Sequence, residues 1–268
     1  MKLKVLVDNH TYIDNYYLGE PAVCYYIEDE GTKILFDTGY SDIFIKNAEN
    51  MKIDLNSVST IVISHGHNDH IGGLPYFTKK FDSSNKKLIT HPHTFYEKFE
   101  NNMLISSKIS KKEMEKKYHL ILSKEPVKIS EHITFLGEIP QLNLFEKRKA
   151  IGIQKEEDNI LEDFVLDDSA IVYKNEEGLF VITGCSHSGI CNILEYAKTV
   201  CNTNKIIGVI GGFHLFSIDE QLEKTIDYLK SNEIKLLYPC HCMSFSVKAE
   251  IHKYIPVYEV GVGLEIEL

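Results

Sequence analysis

A chain of 268 residues, 43% of them apolar, has enough material for one large domain or two small ones. Its formal net charge of −10 argues against general affinity for nucleic acid, whose binding surfaces are usually basic. No apolar run approaches the length that spans a bilayer, and Met1-Lys2-Leu3-Lys4-Val5-Leu6-Val7-Asp8 lacks the apolar stretch of a secretory signal. With six cysteines and no leader, the expectation is a cytoplasmic protein with reduced thiols and no membrane partner.

The first elements read as short strands. Leu3 to Val7 stops at Asp8-Asn9-His10, Ala22 to Ile27 runs into the acidic turn Glu28-Asp29-Glu30-Gly31, and Lys33 to Phe36 ends on Asp37-Thr38-Gly39. Strands this short, separated by turns, predict an antiparallel opening to a sheet. Asp37 is suited to cap a helical segment from Ser41 to Ala48. Then comes the run on which the rest of the chain turns. Thr60-Ile61-Val62-Ile63 reads as a buried strand that opens into Ser64-His65-Gly66-His67-Asn68-Asp69-His70-Ile71-Gly72-Gly73. His65 and His67, two apart, can point the same way from extended chain. Asp69 and His70 follow as the chain turns into the amphipathic segment Ile71 to Phe81. Imidazole and carboxylate gathered at one strand end suit zinc, iron, manganese or cobalt.

Lys87 to Thr90 predicts another strand, ending at His91-Pro92-His93. A strand–helix–strand succession places His91 on the same sheet edge as His65; a bystander or a residue supporting the site is the expectation, with ligand and substrate contact as alternatives. From Thr94 to Asp163 the chain loses its periodicity. Lys111 to Lys117 is helical, and Leu120 to Leu122 and Ile133 to Leu136 are short apolar runs. Lys147-Arg148-Lys149 and Glu156-Glu157-Asp158 interrupt a polar stretch. A loop of this length in a compact domain is usually functional. The expected organisation is therefore a single domain over 1–268 with an insertion around 94–165 acting as a lid over the substrate.

Strand signals resume at Ala170 to Tyr173 and Leu179 to Ile182, the latter ending at Thr183-Gly184-Cys185-Ser186-His187-Ser188-Gly189. A helical pattern over Ile190 to Val200 leads to strand Ile206 to Ile210, which ends at Gly211-Gly212-Phe213-His214. A second helical pattern, Ile218 to Lys230, leads to strand Ile234 to Tyr238 and Pro239-Cys240-His241-Cys242. Three successive strands each deliver a histidine at the C-terminal end, the edge where parallel α/β sheets gather their ligands.

His65-x-His67-x-Asp69-His70 with the Gly-Gly after it resembles the signature of the metallo-β-lactamase superfamily. Gly184-Cys185-Ser186-His187, Gly211-Gly212-Phe213-His214, Pro239-Cys240-His241-Cys242, Asp8-Asn9, Leu35 to Gly39 and Gly261-Val262-Gly263 extend the resemblance to a branch. That branch is the dihydropterin-ribofuranosyl-aminobenzene phosphate synthase-like proteins of methanopterin biosynthesis. The resemblance implies a four-layer αβ/βα sandwich of two mixed sheets with helices outside, holding one or two divalent transition metals. Zinc is the leading expectation, with iron or manganese as alternatives. It implies metal ligands His65, His67, Asp69, His70 and His241, with Asp37 beneath them fixing a ligand histidine. Cys185 stands where the superfamily has a bridging Asp, so it is expected beside the metal rather than on it. His187 then fills a ligand position that the 94–165 stretch does not supply.

A metal with an open coordination position lowers the pKa of its water to about 7. The expected function is a metal-dependent hydrolase that uses the resulting hydroxide on a small phosphoester, phosphodiester, ester or lactam. Asp69 would orient the nucleophile, and His214 would meet the substrate or protonate the leaving group. The alternatives are a pterin synthase-like transferase and a ligand-binding protein of little turnover. The partner is a small molecule, and nothing in the sequence bears on oligomeric state.

Overall fold

The computed structural model describes residues 1–156 and 159–268, so Glu157 and Asp158 of the acidic run lie outside the described residues. The chain packs as two compact units. One comprises Met1–Lys124, Ala150–Asp167 and Gly261–Leu268, the other Glu125–Lys149 and Asp168–Val260.

The first unit opens with β1 (Lys2–Val7), β2 (Cys24–Asp29) and β3 (Thr32–Phe36), an antiparallel meander as expected. Helix α1 (Ile43–Asn50) buries Phe44, Ile45 and Ala48, and its N-cap is Asp42 rather than Asp37. The chain then runs parallel to β3 in β4 (Thr60–Val62) and β5 (Lys87–Thr90). The amphipathic segment expected over Ile71–Phe81 forms α3 (Leu74–Lys80), starting later than expected because the short helix α2 (Asn68–Ile71) precedes it. Gly72-Gly73 separates them, and Pro75 in the first turn of α3 lacks the N–H that a continuous helix would need.

Beyond β5 the expected irregular stretch carries β6 (Glu97–Glu100), β7 (Met103–Leu104), α4 (Lys111–Lys117) and β8 (His119–Leu122). β9 (Val127–Lys128) and β10 (Ile133–Phe135) belong to the second unit. β11 (Ile153–Glu156) and β12 (Asn159–Glu162) return to the first. Sequence patterning hides β6, β11 and β12 for a physical reason: β12 faces solvent at every residue, and the buried positions of β6 and β11 are Lys98 and Gln154.

The second unit continues with β13 (Ala170–Asn175), β14 (Gly178–Thr183), α5 (Ile190–Cys201), β15 (Ile206–Gly211), α6 (Glu220–Ser231), β16 (Leu236–Pro239) and α7 (Phe245–His252). β17 (Glu265–Glu267) closes the first.

Among the described residues the first unit's main sheet has the order β17-β1-β2-β3-β4-β5-β8, and a small antiparallel sheet has the order β12-β11-β6-β7. The second unit's sheet has the order β16-β15-β14-β13-β10-β9. Within each main sheet the parallel strands, β3 to β5 in one and β14 to β16 in the other, end on a common edge. Each unit has its own core. Leu35, Ile61 and Leu88 meet Phe44 and Phe77 in the first; Val181, Val209 and Leu237 meet Leu194 and Leu229 in the second. Burying each such side chain contributes about 1.5–3 kcal/mol. No helix among the described residues is long and apolar enough to cross a membrane.

Helix α5 begins at Gly189, which has no side chain to cap it. Glu146 supplies the cap from a distant loop: its carboxylate accepts from the backbone N–H of Cys191 at 3.0 Å and of Asn192 at 2.9 Å. Burial pushes the Glu146 carboxyl up, and these donors pull it back only in part. Glu146→Ala is expected to cost about 1–3 kcal/mol in urea unfolding, because two buried donors lose their acceptor. Glu146→Gln keeps one acceptor and should cost less; equal losses would show that the capping bonds are not what matters.

Candidate metal centre

In the first unit the site is built from Asp37 upward. It follows β3 in the left-handed region, with φ of 56°. Its Oδ1 accepts from the Ser64 N–H at 2.7 Å, and its Oδ2 from the Ser64 hydroxyl at 2.8 Å and His70 Nδ1 at 2.7 Å. Asp37, Ser64, His65 and His70 are all fully buried. The network assigns the tautomers. His70 donates through Nδ1, which turns Nε2 toward Asp69 Oδ2 at 3.4 Å. The Ser64 hydroxyl, committed to Asp37, accepts from His65 Nδ1 at 3.0 Å. His65 Nε2 is left facing His67 Nδ1 at 3.1 Å.

Two ring nitrogens converging at that distance, with a third imidazole 4.2 Å from His65 centre to centre, are a set of nitrogen donors that could hold a metal ion. The electrostatics agree. Burial alone would push the His70 imidazole down, yet the Asp69 and Asp37 carboxylates outweigh it and hold it well above its ordinary range. Surroundings of that kind favour positive charge, from a proton or a metal cation alike.

The loop between the histidines is held by residues that motif spacing does not announce. The Gly66 N–H donates to Asp167 Oδ2 at 2.7 Å. Lys98, fully buried, places its ammonium 2.6 Å from Asp167 Oδ1 and 3.3 Å from Asp163 Oδ1. Burial opposes ionisation of Asp167, but Lys98 and the Gly66 N–H bring its carboxyl down to about 2. Asp163 is likewise held down, by His67 and Lys98 against burial. His91 ends β5 as expected; its Nδ1 accepts from the His93 N–H at 3.1 Å and caps the turn Pro92–Phe95.

In the second unit three strand ends are stitched by backbone bonds: Gly212 N–H to Gly184 O at 2.8 Å, and Cys240 N–H to Gly211 O at 3.0 Å. The Ser186 hydroxyl donates to Gly212 O at 2.6 Å. Ser186, His214 and His241 all take left-handed backbone, with φ of 60°, 51° and 53°. Asp168 accepts from the Ser188 N–H at 2.9 Å and from its hydroxyl, and so holds the turn that carries His187. Burial pushes the Asp168 carboxyl up, with Arg148 and Ser188 offsetting part of the shift. The His187 ring packs against His214 at 4.4 Å, and His214 lies edge-on to Phe216 at 5.0 Å. Cys185 is buried, and its carbonyl accepts from the Cys242 thiol at 3.5 Å. Candidate ligands are therefore His65, His67, Asp69 and His70 in the first unit and Cys185, His187 and His241 in the second.

A model of the metallo-beta-lactamase superfamily matches residues 18–241, and the chain belongs to that superfamily. Its fold of mixed sheets and helices is the metallo-beta-lactamase fold. Two similar proteins come from Methanocaldococcus jannaschii. The uncharacterized protein MJ0448 is 34% identical over 253 residues, 93% of each chain. The 7,8-dihydropterin-6-methyl-4-(beta-D-ribofuranosyl)-aminobenzene-5'-phosphate synthase is 31% identical over 266 residues, covering 93% of this chain and 89% of that one. Among solved structures, Tm1679, described as a metal-dependent hydrolase of the beta-lactamase superfamily, aligns with a TM-score of 0.85 at 29% identity. That alignment covers 100% of this chain and 99% of Tm1679. Superfamily membership and the candidate ligands agree on divalent metal binding.

Gly66 gives this geometry a sharp test. A Cβ there would drive into the carbonyl of Thr94, a backbone atom that cannot swing aside. Gly66→Ala is expected to lower stability by about 1–3 kcal/mol and to weaken metal uptake, both read on the purified variant. A variant with parental melting temperature and metal content would mean that the loop has slack.

Proposed function

We propose that the chain is a metal-dependent hydrolase acting on a small phosphoester, phosphodiester, ester or lactam. The observation that carries this reading is the convergence of His65 Nε2 and His67 Nδ1 at 3.1 Å, beside a His70 whose Nδ1 is tied to Asp37. The proposed ligands are His65, His67, Asp69 and His70 of the first unit and His187 and His241 of the second. A divalent metal held there supplies Lewis acidity and acidifies water to a pKa of about 7. Asp37 and Ser64 keep the ligand rings in the tautomers that present bare nitrogens. Asp69, about a quarter exposed, has a carboxylate oxygen that can orient an incoming nucleophile. His214 is the proposed proton donor to the leaving group; its ring is held by His187 on one side and Phe216 on another. Zinc is the proposed metal, in a site for one or two ions. A cytoplasmic setting is part of the proposal, on the cysteine usage of the sequence.

The second reading is a synthase-like transferase. It is favoured by the 31% identity with the dihydropterin-linked synthase over most of the chain. The two readings part on their substrates. A hydrolase turns over simple phosphodiesters or lactones with metal alone, whereas a synthase requires an aminobenzene phosphate co-substrate.

Protein purified without chelator should carry one or two equivalents of zinc, iron, manganese or cobalt by elemental analysis; its absence would sink the metal reading. His67→Ala should abolish turnover in a phosphodiester and lactone panel while the metal-free protein melts close to the parent. A large fall in the metal-free melting temperature would make the site structural instead. The two residues of the 185–187 turn are separable by metal content. His187→Ala should lose more metal than Cys185→Ser, and the opposite order would place the thiolate on the metal.

A further inference from the structure

The buried charges behind the histidine motif lie outside the reading just given, and they are arranged with a consequence. His67 Nδ1 points at His65 Nε2, 3.1 Å away. On the opposite side of the same ring, Nε2 faces Asp163 Oδ2 at 3.7 Å. Among the described residues that carboxylate oxygen makes no hydrogen bond and is sealed from solvent. The other oxygen is fixed from behind: Oδ1 accepts from the Val165 N–H at 2.9 Å and from Lys98 at 3.3 Å. The same ammonium holds Asp167, whose second oxygen takes the Gly66 N–H, the peptide between the two histidines.

We propose that Asp163 is a positioning residue for the metal centre, setting His67 in the tautomer with hydrogen on Nε2 and a bare Nδ1, with Lys98 and Asp167 holding it and the loop in place. Two imidazole nitrogens that converge on one cation must both lack hydrogen, so His67 must carry its hydrogen on Nε2. An acidic acceptor facing Nε2 selects that form, as Asp37 selects the tautomer of His70 from the other end of the motif. A separation of 3.7 Å exceeds a direct hydrogen bond. What orients the ring is the field of a carboxylate fixed from behind.

The same contacts give the small sheet a task. Lys98 lies on β6, its backbone N–H donates to the Ser106 hydroxyl at 3.0 Å, and its carbonyl accepts from the Ile105 N–H at 2.8 Å. The Ile105 carbonyl in turn accepts from the Asn68 N–H at 2.7 Å, directly behind His67. Residues that flank the small sheet thus grip the motif at Gly66 through Asp167, at His67 across from Asp163, and at Asn68 through the carbonyl of Ile105, just past β7.

The inference rests on the metal reading, and the experiment separates the two. Asp163 is the residue to change, because Asp163→Ala leaves Lys98 paired with Asp167, whereas removing Lys98 would strand two buried carboxylates. Metal-free protein is titrated with cobalt(II) and followed by its visible d–d absorption. Long-range proton–nitrogen NMR of the histidine rings, above their titration range, reports the His67 tautomer without any metal. Asp163→Ala is expected to bind cobalt about 10–100-fold more weakly, with altered d–d bands and loss of the Nε2–H tautomer at His67. Asp163→Asn, which keeps an oxygen acceptor, should recover part of both. Wild-type cobalt affinity in Asp163→Ala would overturn the proposal, and so would a wild-type His67 carrying hydrogen on Nδ1. Should Asp163→Ala fail to fold, the tautomer in the wild type and in Asp163→Asn decides. Wild-type protein that takes up no cobalt would sink the metal reading, and the same tautomer spectra would still settle what Asp163 does to the ring.

Discussion

A carboxylate sealed from water at the end of an apolar strand is the constraint around which the first unit is organised. Desolvating Asp37 is costly, and the cost is tolerable only while its oxygens are occupied. They are occupied by the two donors of Ser64 and by His70. Those three bonds tie the end of β3 to the end of β4, its neighbour in the sheet, and to α2, which the sheet alone would leave unattached. The neighbouring backbone reinforces the tie: Asp37 N–H reaches Val62 O at 2.8 Å, and Thr38 N–H reaches His70 O at 2.7 Å. Any change that empties one oxygen of Asp37 therefore acts on the histidine motif and on the sheet edge together.

The second unit meets a similar demand with a different balance. Its strand-end loops are joined mainly by main-chain bonds, with Asp168 holding one turn and Glu146 closing the start of α5. Main-chain stitching at close range forces unusual torsion, and Ser186, His214 and His241 absorb it in left-handed conformations. Such conformations cost of order 1 kcal/mol or more for residues with a Cβ. Two of the three are histidines that the chemistry singles out, as expected where strain is retained to aim a side chain.

How much of this was legible in the sequence depends on the range of the interaction. The parallel strands announce themselves as apolar runs, and the histidines at their ends follow from counting to the strand's last residue. His65, His67, Asp69 and His70 are local in the chain, so spacing alone brings them together. Lys98 and Asp167 are 69 residues apart, and each looks like an ordinary charged residue in a polar stretch. Periodicity cannot reveal a buried ion pair, because burial is what periodicity is used to infer from apolar residues. The break at Gly72-Gly73 escaped a reading that ran one segment through it from Ile71 to Phe81, and the left-handed turns at His214 and His241 escaped it too, since periodicity does not report backbone handedness.

The division of the chain between the units also dictates an order of events. β17 pairs with β1 at the edge of the first unit's sheet, with Leu3 opposite Ile266, yet every residue of the second unit lies between them in sequence. Contacts of such sequence separation are slow to form, since the loop they close is long. During synthesis the second unit, whose own strands are supplied by 125–149 and 168–260, has all of its residues before the first unit can complete its sheet. Until β17 arrives, β1 is an open edge, and the chain must pass through that state each time it is made.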